Sequence, residues 1–341
     1  MVSLFGRGFD SLQLHRFFKL LILIISSLFL NKTNFITSNQ IAVKEAFIRL
    51  HLSILLAGCT GLFGKLITLN ETTMVWYRMV FTSVLLLIIT FHCRFPKINK
   101  QAFLNIAGTG TLLGLHWMLF YGSIKASNVS IGVLCYSLVG FFTAIIEPLF
   151  YHRRISLREV LFSLITVAGI LMIFSFDSRY RWGICIGTLS SLVAAIFMVC
   201  NKKVSCNQRA SVVLLYEMIG GLIPISLIIP VYLQIFPSHI PVIVWPTGIN
   251  LFWICCHSLF CTVFMYLLLL QALKKLSAFT VNLSYNLEPV YSIIFAMIFF
   301  GEAKELNFSF YTGLCLIILS VLLQSGFTYY QGRIEKRRQS K

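Results

Sequence analysis

Apolar residues in this chain neither alternate as in a half-buried strand nor mark one stripe of an amphipathic helix. They run on for about twenty positions at a time, and polar residues collect in the short gaps between the runs. A helix needs about 20 apolar residues to cross the hydrocarbon core of a bilayer. That ruler predicts ten spans: 50–67, 73–91, 102–123, 129–150, 157–176, 182–200, 211–234, 250–272, 278–300 and 308–330. The gaps are too short to hold an inserted soluble domain. One further apolar stretch, Leu20–Leu30, is short and follows Arg16 and Lys19. It has the look of a signal-peptide core but lacks a clear small-residue cleavage site. Residues 1–49 are therefore read as an N-terminal extension outside the membrane fold, and 331–341 as a basic cytoplasmic tail.

Composition agrees with that reading. Of 341 residues, 58% are hydrophobic and 11% charged, and the mean hydropathy is +0.85. A soluble domain carries about 25% charged residues. The figures exclude a water-soluble globule, a disordered chain, a coiled coil and a disulfide-stapled secreted domain. The expected class is an all-α integral membrane protein. A formal charge of +17 would suggest a nucleic-acid partner if it formed one patch, but the basic residues are spread over the connections. With the chain entering the first span from the cytoplasm, 16 Lys and Arg fall in inner connections and 4 (Lys125, Arg179, Arg181 and Lys304) in outer ones. This is the positive-inside asymmetry. It predicts a multi-pass plasma-membrane protein, in a bacterial inner membrane, with both termini cytoplasmic. Trp76, Trp117, Trp182, Trp245 and Trp253 all fall toward the outer ends, where an interfacial belt would place them. Ten Cys are present, with no CxxC pair and no Cys/His metal spacing, so they read as packing residues and neither metal nor cofactor is expected.

The chain also repeats itself. Tyr136–Ile146 (YSLVGFFTAII) aligns with Tyr285–Phe295 (YNLEPVYSIIF), and the connection Ser123–Ser127 lies over Ala272–Leu276. Earlier in each half, Tyr77-Arg78-Met79 aligns with Tyr216-Glu217-Met218. The halves are 50–176 and 182–330, with five spans each. Five is odd, so the second copy must enter the membrane from the opposite side. Two inverted five-helix repeats enclose a cavity near the midplane, a layout suited to alternating access.

Asn282–Leu323 resembles the last two helices of the EamA-type branch of the drug/metabolite transporter superfamily. The likeness rests on Leu287-Glu288-Pro289, on Phe300-Gly301-Glu302 and on a Gly-bearing final span (Gly313). The first half echoes it in Phe141–Pro148 and Gly169-Ile170-Leu171, although Val139-Gly140 stand where the second half has Glu288-Pro289. Trp76-Tyr77-Arg78 is similar to the aromatic-plus-Arg pattern of the superfamily's second helix. The resemblance covers about residues 50–330. It implies a transporter, most often an exporter, and is almost silent on substrate.

Charges within hydrocarbon are costly and are functional candidates by default. Arg78 could face the cavity and hold a carboxylate or phosphate in bidentate fashion. Glu288 lies ten residues into its predicted span, too deep to snorkel, and Pro289 beside it would break the helix. Its carboxyl could carry a proton, bind a substrate amine, or simply pair with Arg78 or Lys65. Glu217, at the repeat position of Arg78, could pair with it across the cavity as a gate. Glu288, Glu217 and Lys65 are thus coupling or gating candidates. His116, Trp117 and Tyr121 on the third span, with Asn282, Tyr285 and Asn286 on the ninth, would complete a small-metabolite pocket with Arg78 and Glu288.

No P-loop, nucleophile elbow, HExxH or dinucleotide fingerprint is present. The expected function is secondary active transport, with efflux as the direction, of a small organic metabolite such as an amino acid, coupled to protons or exchange. The alternatives are an intramembrane enzyme acting on a lipid-like substrate, which would want clustered His or carboxylates, and a transport-inactive membrane scaffold. The expected partners are a small-molecule substrate and membrane lipid, with a homodimer left open and nucleic acid not among them.

Overall fold

The computed structural model describes residues 39–90, 99–152, 154–176, 178–205, 210–237, 241–242, 244–246, 248–273, 284–285, 287–304 and 307–339. The apolar runs become helices: α1 (Asn39–Gly58), α2 (Thr60–Leu66), α3 (Glu71–Thr90), α4 (Lys100–Ala126), α5 (Val129–Tyr136), α6 (Val139–Phe150) and α7 (Leu157–Phe176) in the first half. In the second follow α8 (Arg181–Ser205), α9 (Ala210–Ile235), α10 (Gly248–Ser258), a π-helical segment (Leu259–Phe264), α11 (Met265–Leu273), α12 (Glu288–Phe300) and α13 (Phe308–Gln339). No strand occurs among the described residues. Helices are what hydrocarbon demands, because every backbone N–H and C=O finds its partner within the segment.

Seven stretches of the described residues are long and apolar enough to cross a membrane: Glu45–Leu66, Glu71–Ile88, Lys100–Ala126, Val129–Phe150, Ser178–Asn201, Ser211–Ile235 and Gly248–Leu269. The other three expected spans, 157–176, 278–300 and 308–330, hold shorter apolar helices, Val160–Met172, Glu288–Phe300 and Phe308–Ser320. Residues 278–283 and 286 of the expected ninth span lie outside the described residues, as does the Leu20–Leu30 stretch. The last helix does not stop at 330 but stays helical through Gln339.

Two helices are interrupted at the same place in the repeat. A turn at Ser137 and Leu138 separates α5 from α6, and Leu287 is the turn before α12. The backbone bonds correspond one to one. Leu138 N–H donates to Cys135 O (3.0 Å) and Phe142 N–H to Leu138 O (3.1 Å), while Leu287 N–H donates to Ser284 O (3.1 Å) and Tyr291 N–H to Leu287 O (3.1 Å). Pro289 sits in the first turn of α12, where its missing N–H costs nothing. The first half turns at the equivalent point with Gly140 there instead, so proline does not make the break.

Packing follows the repeat as well. Helix α4 packs on α8 and α9, α1 on α11 and α12, α3 on α9 and α10, α8 on α5 and α6, α5 on α12, and α7 on α13. Exchanging the halves maps each contact between them onto itself or onto another member of the set. At one end of the bundle the last turns of α2, α4 and α9 meet the first turns of α3, α8 and α10. Lys125 Nζ donates to Ile67 O (3.1 Å) and Leu69 O (2.6 Å), Ser123 Oγ to Gly183 O (2.7 Å), Tyr232 OH to Glu71 Oε1 (3.3 Å), and Thr68 N–H to Asn250 Oδ1 (3.0 Å).

Lipid tails are as apolar as leucine, so helix association here depends on close packing and interhelical hydrogen bonds rather than on removal of apolar surface from water. Exposed Phe308, Ile223, Leu227 and Leu157 supply the lipid-facing surface. Inside, α4 and α9 come so close that a Cβ on Gly110 would overlap the Glu217 carbonyl. Thr166 Oγ donates to Ser320 Oγ (2.8 Å), which donates on to Phe162 O (2.6 Å), tying α7 to α13.

Candidate functional site

Arg78 lies two turns into α3 and is 2% exposed. Its Nε donates to Thr262 Oγ1 (3.0 Å), Nη1 to Tyr121 OH (2.8 Å) and Nη2 to Cys261 O (3.3 Å). The guanidinium lies over the Trp117 ring, 3.7 Å from its centroid, in a cation–π contact. Every one of these partners is neutral. Among the described residues Arg78 has no carboxylate partner, and the expected pair with Glu217 or Glu288 is not formed.

Two of Arg78's acceptors, Cys261 O and Thr262 Oγ1, come from the π-helical segment. A π turn widens the helix by one residue per bond, so Met265 N–H reaches back to Phe260 O. The Cys261 carbonyl is left turned toward Arg78. Such bulges recur where a helix must present backbone to a site.

Tyr121 extends the cluster. Its hydroxyl accepts from Arg78 and therefore directs its own proton to His257 Nε2 (3.0 Å). That assigns the other proton of a neutral His257 to Nδ1, which has no partner among the described residues. The imidazole is fully buried and stacked on Phe63 at 4.8 Å. A buried cation and an unpaired buried N–H thus lie in one aromatic-walled cluster, both short of an acceptor.

Glu288 opens α12 rather than lying deep within a longer described helix. Its carboxyl is within electrostatic reach of Tyr121, Tyr136, Cys261 and Tyr285, so it belongs to the same region as Arg78. Tyr285 is bonded to Ser53 Oγ (3.1 Å) on α1. Ser292, one turn beyond Glu288, donates to Gly58 O (2.6 Å) and fixes the start of α12 against α1. His116 makes no hydrogen bond to Arg78, although it lies within electrostatic reach of it and its ring is 5.5 Å from that of Tyr136. Its Nδ1 lies 2.8 Å from Ser190 Oγ and 3.1 Å from Ser190 O, while Ser190 Oγ donates to His116 O, which locks α4 to α8. Asn282 and Asn286 lie outside the described residues.

Two further expectations are corrected. Trp117 is not an interfacial residue: it is 8% exposed and forms the floor under Arg78, whereas Trp182 and Trp245 are exposed. Distance from a span's end does not say which way a ring points. Lys65 pairs with Glu302 (3.1 Å), not with Glu288, and lies 4.6 Å from the Phe300 ring centroid. Glu302 is fully buried. Its Oε1 also accepts from Val129 N–H (3.1 Å), and its Oε2 from Ser130 N–H (2.9 Å) and Ser130 Oγ (2.7 Å), capping the first turn of α5.

Glu217 and Arg78 sit at different heights. Tyr232 on α9 is level with Glu71 on α3, and the helices are antiparallel. At about 1.5 Å per residue, Glu217 lies roughly 12 Å further along the bundle than Arg78. It is fully buried, and its Oε1 accepts from Thr109 Oγ (3.0 Å) on α4.

Reasoning from sequence missed His257, Thr262, Tyr136 and the role of Glu302. The rule that an intramembrane His is a functional candidate was applied to His116 but applies equally to His257. Among the described residues no three or more His, Cys, Asp or Glu gather in a metal-ligating group.

The sequence profile of the EamA-like transporter family matches residues 46–175 and 181–326. An uncharacterized transporter from Haemophilus influenzae is 22% identical over 276 residues, a stretch covering 75% of this chain and 86% of the relative. A crystal structure, described only as that of a protein, superposes with a TM-score of 0.55 at 12% identity over 84% of this chain and 99% of its own. That similarity concerns the fold alone.

Proposed function

Because the chain belongs to the EamA-like transporter family, we propose that this membrane transporter is a secondary active exporter of a small organic metabolite carrying a carboxylate, such as an amino acid. The single observation that carries this reading is Arg78: a guanidinium buried without a carboxylate partner among the described residues, held by three neutral acceptors over Trp117. Leaving a cation unneutralised in a low-dielectric interior is expensive. A substrate carboxylate would supply the missing charge, with His257 Nδ1–H as a second donor. Glu288, in the same region, suits the substrate ammonium or a coupled proton. Tyr121, Trp117, Tyr136 and Tyr285 supply the aromatic walls.

Alternating access between two inverted five-helix repeats is the mechanism. The opposed chain directions of α4 and α8 at the Ser123–Gly183 contact support the inversion, as does a packing pattern preserved when the halves are exchanged. The matched interruptions at Leu138 and Leu287 are the natural hinges. Arg78 is sealed from solvent in this conformation, and alternating access would open it to one side of the membrane and then the other. The sixteen-to-four bias of basic residues supports cytoplasmic termini in a bacterial inner membrane. Export is carried over from the family resemblance.

The test is a thermal-shift screen of the purified full-length protein in detergent against amino acids, amines, organic acids and nucleosides. A native-state ligand at 100 times its Kd stabilises by about 2.7 kcal/mol. A zwitterion or carboxylate is expected to raise the melting temperature of the wild type and not of folded Arg78→Ala, with Glu288→Gln weakening amines selectively. A stabilising compound that acts equally on Arg78→Ala would remove Arg78 from the site.

A further inference from the structure

We propose that Glu217, with Thr109 and Tyr266, forms a second proton-binding site in the other half of the molecule, separate from the Arg78–Glu288 region. It deepens the transport reading by placing an acid for proton coupling where the repeat places Arg78 in the first half.

Two neighbours correspond through the repeat. Trp117, under Arg78, is the counterpart of Tyr266, which lies within electrostatic reach of Glu217. Ser258, whose Oγ donates to the Arg78 backbone carbonyl (3.4 Å), is the counterpart of Thr109, whose Oγ lies 3.0 Å from Glu217 Oε1. The groups that hold the Arg78 guanidinium are not repeated, since Tyr121, Cys261 and Thr262 correspond to Leu270, Leu112 and Leu113. The repeat thus sets a cation in one half and a carboxyl group, in a less polar setting, in the other.

Among the described residues nothing around Glu217 compensates a negative charge. From α4 the facing group is the Thr109 hydroxyl, and from α11 it is Tyr266, itself bonded to Asn201. From α3 the nearest cation, Arg78, is roughly 12 Å away along the bundle and engaged with Tyr121, Thr262 and Cys261. Glu217 Oε2 is buried with no hydrogen-bond partner among the described residues. An ionised carboxylate would leave that oxygen both charged and bare, which a low-dielectric interior penalises heavily. A proton on the carboxyl removes the charge: carried on Oε2 it leaves Oε1 to accept from Thr109, and carried on Oε1 it is donated to Thr109 Oγ (3.0 Å) while that hydroxyl donates to Ile106 O (2.8 Å). The α4–α9 seam seals the site, since the Glu217 backbone is pressed against Gly110. When the end of the bundle nearer Glu217 opens, that seam is the surface exposed, and the proton passes between Oε2 and water there with no other bond made or broken.

The experiment is infrared spectroscopy of the full-length protein in lipid nanodiscs at neutral pH, which reads the C=O stretch of protonated carboxyl groups and needs no substrate. Glu217→Gln is expected to delete one such band. Thr109→Val is expected to shift the same band to higher frequency, as the bond to Oε1 is lost, and Glu288→Gln to leave it in place. A Glu217→Gln spectrum with every band of the wild type would overturn the proposal, as would a band indifferent to Thr109→Val. Failure of every carboxylate in the thermal-shift screen would sink the substrate reading and leave this band untouched, so the two ideas fail separately.

Discussion

Glu302 holds two halves of the bundle together, and its energetics can be worked out donor by donor. One fully buried carboxylate accepts from Lys65 Nζ, from the backbone N–H groups of Val129 and Ser130, and from Ser130 Oγ. Three of the four donors belong to the first turn of α5, where the helix dipole also favours an anion. The Lys65 side chain is 38% exposed, so its ammonium keeps much of its hydration without Glu302. Glu302→Gln removes the charge and turns an NH2 toward amide donors, a broken buried network of the kind that costs about 3 kcal/mol or more. Lys65→Met deletes one donor of four, and its cost is set near that of a half-exposed ion pair, about 1 kcal/mol. The assay is unfolding of the full-length protein in mixed micelles titrated with SDS, read by circular dichroism, on both single variants and the double. The double variant should cost little more than Glu302→Gln alone, because Lys65 has nothing left to lose. If Lys65→Met destabilised as much as Glu302→Gln, the cation and not the helix cap would be the dominant partner, and the reasoning would be wrong.

Substitutions at three glycines test close approach and backbone strain separately. Gly110→Ala drives a methyl into the Glu217 carbonyl and should cost about 1–3 kcal/mol as α4 and α9 are forced apart. Gly108→Ala on the same helix meets nothing within 4 Å and should be neutral or stabilising by up to about 1 kcal/mol, a contrast the same SDS titration resolves. Gly301, the residue after α12, has φ +65° with open space around it, so Gly301→Ala should cost about 1 kcal/mol from backbone strain alone. Gly301→Asn should recover part of that loss, since Asn tolerates the left-handed region; equal midpoints for the two variants would contradict that account.

Much of this architecture is legible in the chain because hydrocarbon imposes a blunt rule. Seven long apolar runs are helices near their expected limits, and Val129–Phe150 coincides with its prediction. The burial of Arg78 inside the bundle is consistent with its place within an apolar run, where a charge is costly enough to make it a candidate. What the chain conceals is rotation and long-range partnership. Trp117 counted as interfacial from its position along the span, yet the face it presents places it beneath Arg78. Lys65 and Glu302 stand at opposite ends of the sequence, so nothing local pairs them. The suggested Arg78–Glu217 gate fails for a geometric reason: pseudo-equivalent positions in antiparallel helices need not lie at equal heights. His257 went unmarked because its importance derives from Tyr121, which only folding brings beside it.

The six-residue π-helical segment Leu259–Phe264 has a bearing on how this chain can vary. A π turn is an α turn that has absorbed one extra residue. Deleting a single residue there would let the helix close into regular α geometry while everything downstream keeps its phase, because the extra residue is held within the widened turn. Leu268 and Ala272, now fully buried, would keep their present neighbours, while the backbone around the Cys261 carbonyl would be rebuilt. A single-residue deletion from a regular transmembrane α-helix rotates everything beyond it by about 100° and scrambles a packed face. At this position the packed face would survive and the change would fall on the acceptors around Arg78, so a one-residue deletion is a mutational step that alters this pocket and spares the bundle.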